Sequence, residues 1–315
     1  VSRETRCLVS WTEFQKKEFE ETAWLVEPYI ARAGITFLWG ETSTGKSPLG
    51  WHLASAVGRG DNFFGLPAFP GRVLYLEVDT PQRLVHKRLK SLTPAPNVDF
   101  LFLPPLSAPG VSQADQLLLD EAARNEYDLV VVNTLRKVHA LNDKEPQTVA
   151  EVYSYFQHQF PGAALLFVHH TKKTQVDANG NTTRMKENFS GAMNWLNDAQ
   201  IGLSLSRHES ELEGINIRLA MEKSQVSQLY GPLGLFLDPD NGVDLGCPRF
   251  DQLLIAYELR HSTDLQGNAF DKELARVLKK SESTAYRLRQ LIERGLFPGV
   301  EWLGRKDLGT ENSPV

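Results

Sequence analysis

The sequence is poor in the features that anchor extracellular or membrane proteins. Its two cysteines, Cys7 and Cys247, stand far apart, which gives neither a disulfide framework nor a metal-ligand spacing and makes a reducing cytoplasm the expected setting. No apolar run approaches the roughly 20 residues of a membrane span, and the first residues lack the basic-then-apolar layout of a secretory signal. A soluble, non-exported protein with no membrane contact is expected. The chain also lacks an initiating Met, so a segment preceding Val1 is expected, and it shows no internal repeat or low-complexity tract. Strong charge of one sign is missing as well. A formal net charge of -5 over 315 residues argues against a nucleic-acid binder coated in positive charge. What remains is an ordinary soluble composition, 41% hydrophobic and 23% charged, with length for one large domain and one small one.

What is present centres on Gly40-Glu41-Thr42-Ser43-Thr44-Gly45-Lys46-Ser47. The segment follows an apolar run, Ile35–Trp39, and precedes helical spacing from Leu49 to Val57, so its order is strand, glycine loop, helix. Glycines let successive N–H groups turn towards a phosphate, and the helix N-terminus behind them favours anions. In that chemistry Lys46 neutralises the β- and γ-phosphates and Ser47 holds Mg²⁺. Pro48 fits the first helical turn, where a missing N–H costs no intrahelical bond.

From Gly34 the chain alternates strand and helix. Strands are expected at Ile35–Trp39, Val73–Val78, Val98–Leu103, Leu129–Val132 and Ala164–Val168. Helices are expected at 46–57, 81–92, 112–125 and 146–160. That is the pattern of a mostly parallel α/β sheet covered on both faces. Apolar segments at 199–205, 215–221 and 234–237, without long helices between them, suggest antiparallel strands extending one edge. Residues 1–30 show no convincing period and read as an arm or linker, and the main domain is expected over 31–245.

Ligands of such sheets sit beyond the carboxyl ends of the strands. Glu77 and Asp79 end the second strand two residues apart, and either carboxylate is placed to activate a water, while Asp79 or Thr80 is equally suited to cap the next helix. The fourth strand, Leu129–Val132, ends in Asn133 where a phosphate-loop enzyme normally carries a Mg²⁺-associated aspartate. The amide supplies no charge. Either another carboxylate compensates, or the substitution holds a nucleotide-bound state with little turnover. The fifth strand ends in His169-His170, whose side chains point to opposite faces and so make a poor metal chelate; one imidazole is placed to read a γ-phosphate while the other packs. Directly after them, residues 171–186 form a long polar segment carrying Lys172, Lys173, Arg184 and Lys186.

From about residue 250 to 315 the composition changes. Between Lys272 and Lys306 nine Lys/Arg face four acids, and the spacing predicts a helix, a turn, a second helix from Ser283 to Gly295, and a wing near Trp302. The second helix places Ser283, Thr284 and Arg287 outward, as a DNA-recognition helix does.

These residues together resemble the RecA-like ATPases, and within them the hexameric replicative helicases of the plasmid RepA group, with DnaB-type helicases more distant. The resemblance covers roughly residues 30–240 and is carried by Gly40–Ser47, Tyr75-Leu76 leading to an acid and Pro81, Asp128–Arg136, Phe167–Lys172, Ser190-Gly191-Ala192 before Asp198-Ala199, and Lys223 before Gly231-Pro232. It implies a RecA-like P-loop NTPase core and a homo-oligomeric ring binding Mg²⁺ and ATP between subunits. It also implies replication-protein partners and motor activity on single-stranded DNA. By the same resemblance Asp79 falls at the water-activating carboxylate, with Glu77 as its rival, and His170 matches the sensor that couples γ-phosphate to a DNA-lining loop. Lys223 matches the cation offered to a neighbour's ATP, although Gln225 stands where an arginine often follows. Two other readings stay open: a nucleotide-dependent DNA-binding or assembly factor with weak turnover, and a recombinase-like filament ATPase.

Overall fold

A computed structural model describes residues 9–17, 23–90, 92–104, 113–139, 145–171, 192–210, 215–229, 232–238, 245–246 and most of 252–293. In chain order the strands are β1 (Trp24–Val26), β2 (Ile30–Ala31), β3 (Ile35–Glu41), β4 (Val73–Glu77), β5 (Val98–Phe102), β6 (Leu129–Asn133), β7 (Ala164–Thr171), β8 (Ile201–Ser210), β9 (Ile215–Ser224), β10 (Leu233–Leu237) and β11 (Leu245–Gly246). The helices are α1 (Trp11–Phe14), α2 (Lys46–Arg59), α3 (Gln82–Leu89), α4 (Gln113–Ala123), α5 (Pro146–Gln159), α6 (Ala192–Asp198), α7 (Gly267–Leu278) and α8 (Glu282–Glu293), with a 3₁₀ turn at Leu135–Lys137.

The main sheet has nine strands in the order β11-β10-β9-β8-β3-β7-β6-β4-β5. The six from β8 to β5 are mutually parallel. β4 and β6 are buried on both faces and for that reason read as unbroken apolar runs rather than as alternation, while the edge strand β5 is half-buried. The two faces carry separate cores. Leu38, Leu166 and Val168 pack with Leu49, Leu53 and Val57 of α2 on one side. Phe37, Val132 and Phe167 pack with Val149, Tyr153 and Phe156 of α5 and Trp195 of α6 on the other. The fold is that of the RecA-like P-loop NTPases.

Two expectations are corrected. The segment read as an arm through residue 30 joins the core from Trp24: β1 and β2 form a small antiparallel pair, and Leu25, Val26, Tyr29 and Ile30 are buried in the α2-side core. The core therefore starts before residue 31, because four apolar side chains cover the sheet there. The edge extension begins one strand later than expected. β8 runs parallel to β3, reached through α6 as a crossover, and only β9 to β11 are antiparallel.

The C-terminal unit has its own core of Ala256, Phe270, Leu274, Ala275, Ala285 and Leu288. α7 ends at Lys279, in the left-handed region at φ 51°. The Arg289 guanidinium of α8 then grips Asp271 of α7 through two bonds of 2.7 and 3.0 Å, fixing the helix pair. Ser283 and Arg287 are exposed and Thr284 is half-buried, while the expected wing lies outside the described residues.

Candidate nucleotide-binding and hydrolysis site

The loop from Gly40 to Gly45 leaves β3 at the carboxyl end of the sheet and feeds directly into α2. Two glycines are required there. A Cβ on Gly40 would lie 2.2 Å from the Leu205 carbonyl oxygen of β8, and Gly45 sits at φ 89°, a region that suits glycine. Thr44 Oγ1 donates to the Glu41 carbonyl at 2.9 Å, tying the loop to its own base. Ser43, at φ 64°, forms the exposed crest with Thr42.

Lys46 is only 3% exposed. Its ammonium donates to the Gly40 carbonyl at 2.8 Å and to that of Glu41. Burial pulls its pKa down to about 8, a fall opposed by the negative charges of Glu41 and Asp79. A cation held in a poorly hydrated loop gains more from a phosphate than one already surrounded by water.

The neighbouring strand ends bring the remaining groups together. The register sets Glu77 beside Asn133 and Gly40 beside His170. Asn133 Nδ2 donates to Glu77 Oε2 at 2.7 Å, and Ser47 Oγ lies 3.2 Å from the same nitrogen and 3.4 Å from Oδ1. Glu77 Oε1 accepts the backbone N–H groups of Asp79 and Thr80 at 3.0 and 2.8 Å. Burial raises the Glu77 pKa, and the bonds from Thr80, Asn133 and Asp79 oppose that rise. Glu77, at 1% exposure, therefore does not share a free face with Asp79, as the two-residue spacing suggested. The strand ends at Glu77, and Asp79 lies beyond it where the alternation no longer holds. No side chain caps α3, whose N-cap is Pro81, so the capping alternative for Asp79 and Thr80 is not what the structure shows.

Asp79 pairs with the Lys137 ammonium, and its Oδ2 lies 3.7 Å from His170 Nε2. Burial and the Lys46 charge push the His170 pKa down, with Asp79 pulling the other way, so the imidazole is neutral near physiological pH. His169 points to the opposite face and packs on Phe37, ring centroids 5.7 Å apart. Lys223 is far from this group. Its ammonium donates to the carbonyls of Leu196 and Asn197 at 3.0 and 2.6 Å, at the carboxyl end of α6. Lys172, Lys173, Arg184 and Lys186 lie outside the described residues.

Two cations were missed by sequence reasoning. Lys137 reaches Asp79 because the turn Leu135–Lys137 folds back over the strand ends, and its only sequence signal is position shortly after Asn133. Arg207 lies two residues beyond Leu205, the partner of Gly40 in the sheet, and its Nη2 is 3.5 Å from the Ser43 carbonyl oxygen.

Residues 2–176, more than half of the chain, match the family model described as an AAA domain. The chain belongs to that family. The AAA domain match spans the phosphate loop, Glu77, Asp79, Asn133 and the paired histidines, and with the RecA-like fold it makes this protein a nucleotide-binding P-loop ATPase. No curated protein matches the chain. A solved KaiC-like protein from the hyperthermophilic archaeon Pyrococcus horikoshii OT3 aligns with a TM-score of 0.46 at 13% identity, covering 70% of this chain and 92% of the other.

The AAA domain has donors that suit Mg²⁺ arriving with a nucleotide. Among the described residues no group of three or more His, Cys, Asp or Glu side chains could hold an ion alone. Mg²⁺ needs no such cage, because it keeps several waters and takes one or two protein oxygens plus phosphate. Ser47 Oγ, 3.2 Å from Asn133 Nδ2, could supply one such oxygen. No described helix is long and apolar enough to cross a membrane.

Proposed function

We propose that this protein is an ATP-driven motor of the hexameric replicative-helicase type, hydrolysing Mg-ATP at subunit interfaces and moving on single-stranded DNA. One observation carries the reading. His170, facing Asp79 at 3.7 Å, stands at the end of β7, and the chain passes within two residues into the basic segment containing Lys172, Lys173, Arg184 and Lys186. A group beside the hydrolytic carboxylate is thereby joined covalently to the cations best suited to a phosphodiester backbone, and that is the connection a translocating ATPase needs.

In this mechanism the loop N–H groups and Lys46 bind the β- and γ-phosphates. Asp79 orients and deprotonates the attacking water, and His170 reports whether a γ-phosphate is present. Mg²⁺, held at Ser47, supplies charge neutralisation when bound with the nucleotide. Lys223 is offered across a ring interface to a neighbour's nucleotide, exchanging the carbonyls of α6 for phosphate oxygens. The α7–α8 unit, with Arg287 exposed on its second helix, docks DNA or a replication partner.

ATP turnover measured with and without single-stranded DNA tests the proposal. Turnover that rises with DNA and disappears in Lys46→Ala supports a motor. Nucleotide and DNA binding with no turnover under any condition would replace it with an ATP-dependent assembly factor, the reading favoured by the uncharged Asn133.

A further inference from the structure

We infer that Glu77 supplies, through the side-chain amide of Asn133, the negative charge that the end of β6 lacks, so that the two residues together position the Mg²⁺ ligand Ser47. The inference rests on the reading of this site as a Mg-ATP site. It reverses the meaning of Asn133, from a defect in the metal site to the required partner of a carboxylate on the adjacent strand.

The hydrogen bonds leave little freedom in the assignment. A carboxylate only accepts, so the 2.7 Å contact to Glu77 Oε2 fixes the nitrogen of the Asn133 amide on that side. The other Glu77 oxygen is filled by the N–H groups of Asp79 and Thr80. Three donors thus satisfy one buried carboxylate. With its nitrogen polarised by Glu77, the amide presents Oδ1 within 3.4 Å of Ser47 Oγ. When the hydroxyl's lone pairs face a cation, its proton has Oδ1 as acceptor, and a hydrogen-bonded chain of this kind strengthens each of its members.

A second carboxylate at 133 would break this arrangement. Glu77 and Asn133 are direct partners across β4 and β6, so Asn133→Asp sets two acceptor-only groups face to face at hydrogen-bond distance. With no donor left between them, the 2.7 Å bond that holds the side chain of residue 133 in place is lost. The aspartate usual at this strand end is therefore incompatible with Glu77, although it is compatible with an amide there. In Glu77→Gln/Asn133→Asp the amide on β4 accepts the Asp79 and Thr80 N–H groups with its oxygen and donates to the carboxylate on β6. The charge has then moved across one strand gap with the bonds to the Asp79 and Thr80 N–H groups and the bond between β4 and β6 kept.

The test reads metal binding, not turnover. Mn²⁺ affinity of the full chain with a non-hydrolysable ATP analogue is measured by electron paramagnetic resonance for the parent, Glu77→Gln, Asn133→Asp and the double variant, without DNA. Loss of an oriented partner behind a metal ligand typically weakens binding about 10–100-fold. Both single variants are expected in that range, with the double variant restored to within about threefold of the parent. Asn133→Asp binding Mn²⁺ as tightly as the parent, or a double variant no better than Glu77→Gln, would overturn the inference. Should Glu77→Gln fail to fold, Asn133→Asp, which conserves volume, decides alone: weaker Mn²⁺ binding than the parent upholds the pairing, and equal or tighter binding rejects it. A chain that never hydrolyses ATP on DNA would end the motor proposal and leave this result standing.

Discussion

Asp79, just beyond β4, and His170, near the end of β7, face each other from the two strands that flank β6, Oδ2 to Nε2 at 3.7 Å, while the other carboxylate oxygen of Asp79 holds Lys137. The gap is slightly longer than a hydrogen bond, and the imidazole is neutral because burial and Lys46 oppose its charging. A neutral imidazole beside Asp79 can exchange partners cheaply when a phosphate arrives. Lys137, by contrast, holds Asp79 through a direct ion pair.

Asp79→Asn is expected to lower ATP turnover by about 10²–10⁴-fold, the usual contribution of a positioned general base. ATP binding should change little, because Lys46, Ser47 and the loop N–H groups are untouched. Single-turnover hydrolysis beside equilibrium nucleotide binding checks both halves. A variant with near-parental turnover would remove Asp79 from the mechanism.

Lys46 gives a pH signature with a defined sign. Its pKa is lowered in the fold from 10.5 to about 8, so between those values the unfolded chain binds the extra proton and this residue's contribution to stability rises with pH. Lys46→Met should therefore melt above the parent near neutral pH, with the difference closing as pH climbs from about 8 towards 10.5. ATP affinity of the parent moves the other way and falls through the same window, because the phosphates need the charged amine. Thermal denaturation and nucleotide titration across that range read the two trends.

The sheet was legible in the sequence because parallel strands covered on both faces are written as short apolar runs, and Leu129–Asn133 and Ala164–Thr171 are such runs. The phosphate loop was legible because glycine and lysine have few alternatives there. The β1–β2 pair was not, since strands of three and two residues are too short to show a period. The α6 crossover was hidden by its position after a long polar stretch. Lys137 depends on a turn that folds back, and Glu77 with Asn133 on a pairing 56 residues apart in the chain. Local patterns report neither relationship, because one is made by a turn that folds back and the other by register between strands.

Gly40→Ala tests how tightly the loop is held against β8. The added methyl would meet the Leu205 carbonyl oxygen at 2.2 Å and Thr44 Oγ1 at 3.1 Å, and the first of these is backbone inside a parallel strand pair. Relief requires separating β3 from β8 or lifting the loop. A loss of about 1–3 kcal/mol in denaturant unfolding is expected, as for other overpacked sites. Nucleotide affinity should fall with it, because the loop carbonyls that hold Lys46 move as well.

Alanine at Lys172, Lys173, Arg184 and Lys186 together separates the DNA arm of the motor from its nucleotide arm. Each cation that neutralises one phosphate of a single strand contributes about 0.7 to the slope of log affinity against log salt. Removing four should flatten that slope by up to about 3, and single-strand affinity at low salt should fall steeply. The nucleotide site is built from β3, β4, β6 and β7 and shares none of these side chains, so ATP binding and basal turnover should persist while stimulation by DNA is lost. Fluorescence anisotropy over a salt series, with hydrolysis assayed on the same samples, gives both quantities. An unchanged salt slope would reject this segment as the DNA contact and move the search to the exposed Arg287 face of α8, whose removal would then have to produce the missing change.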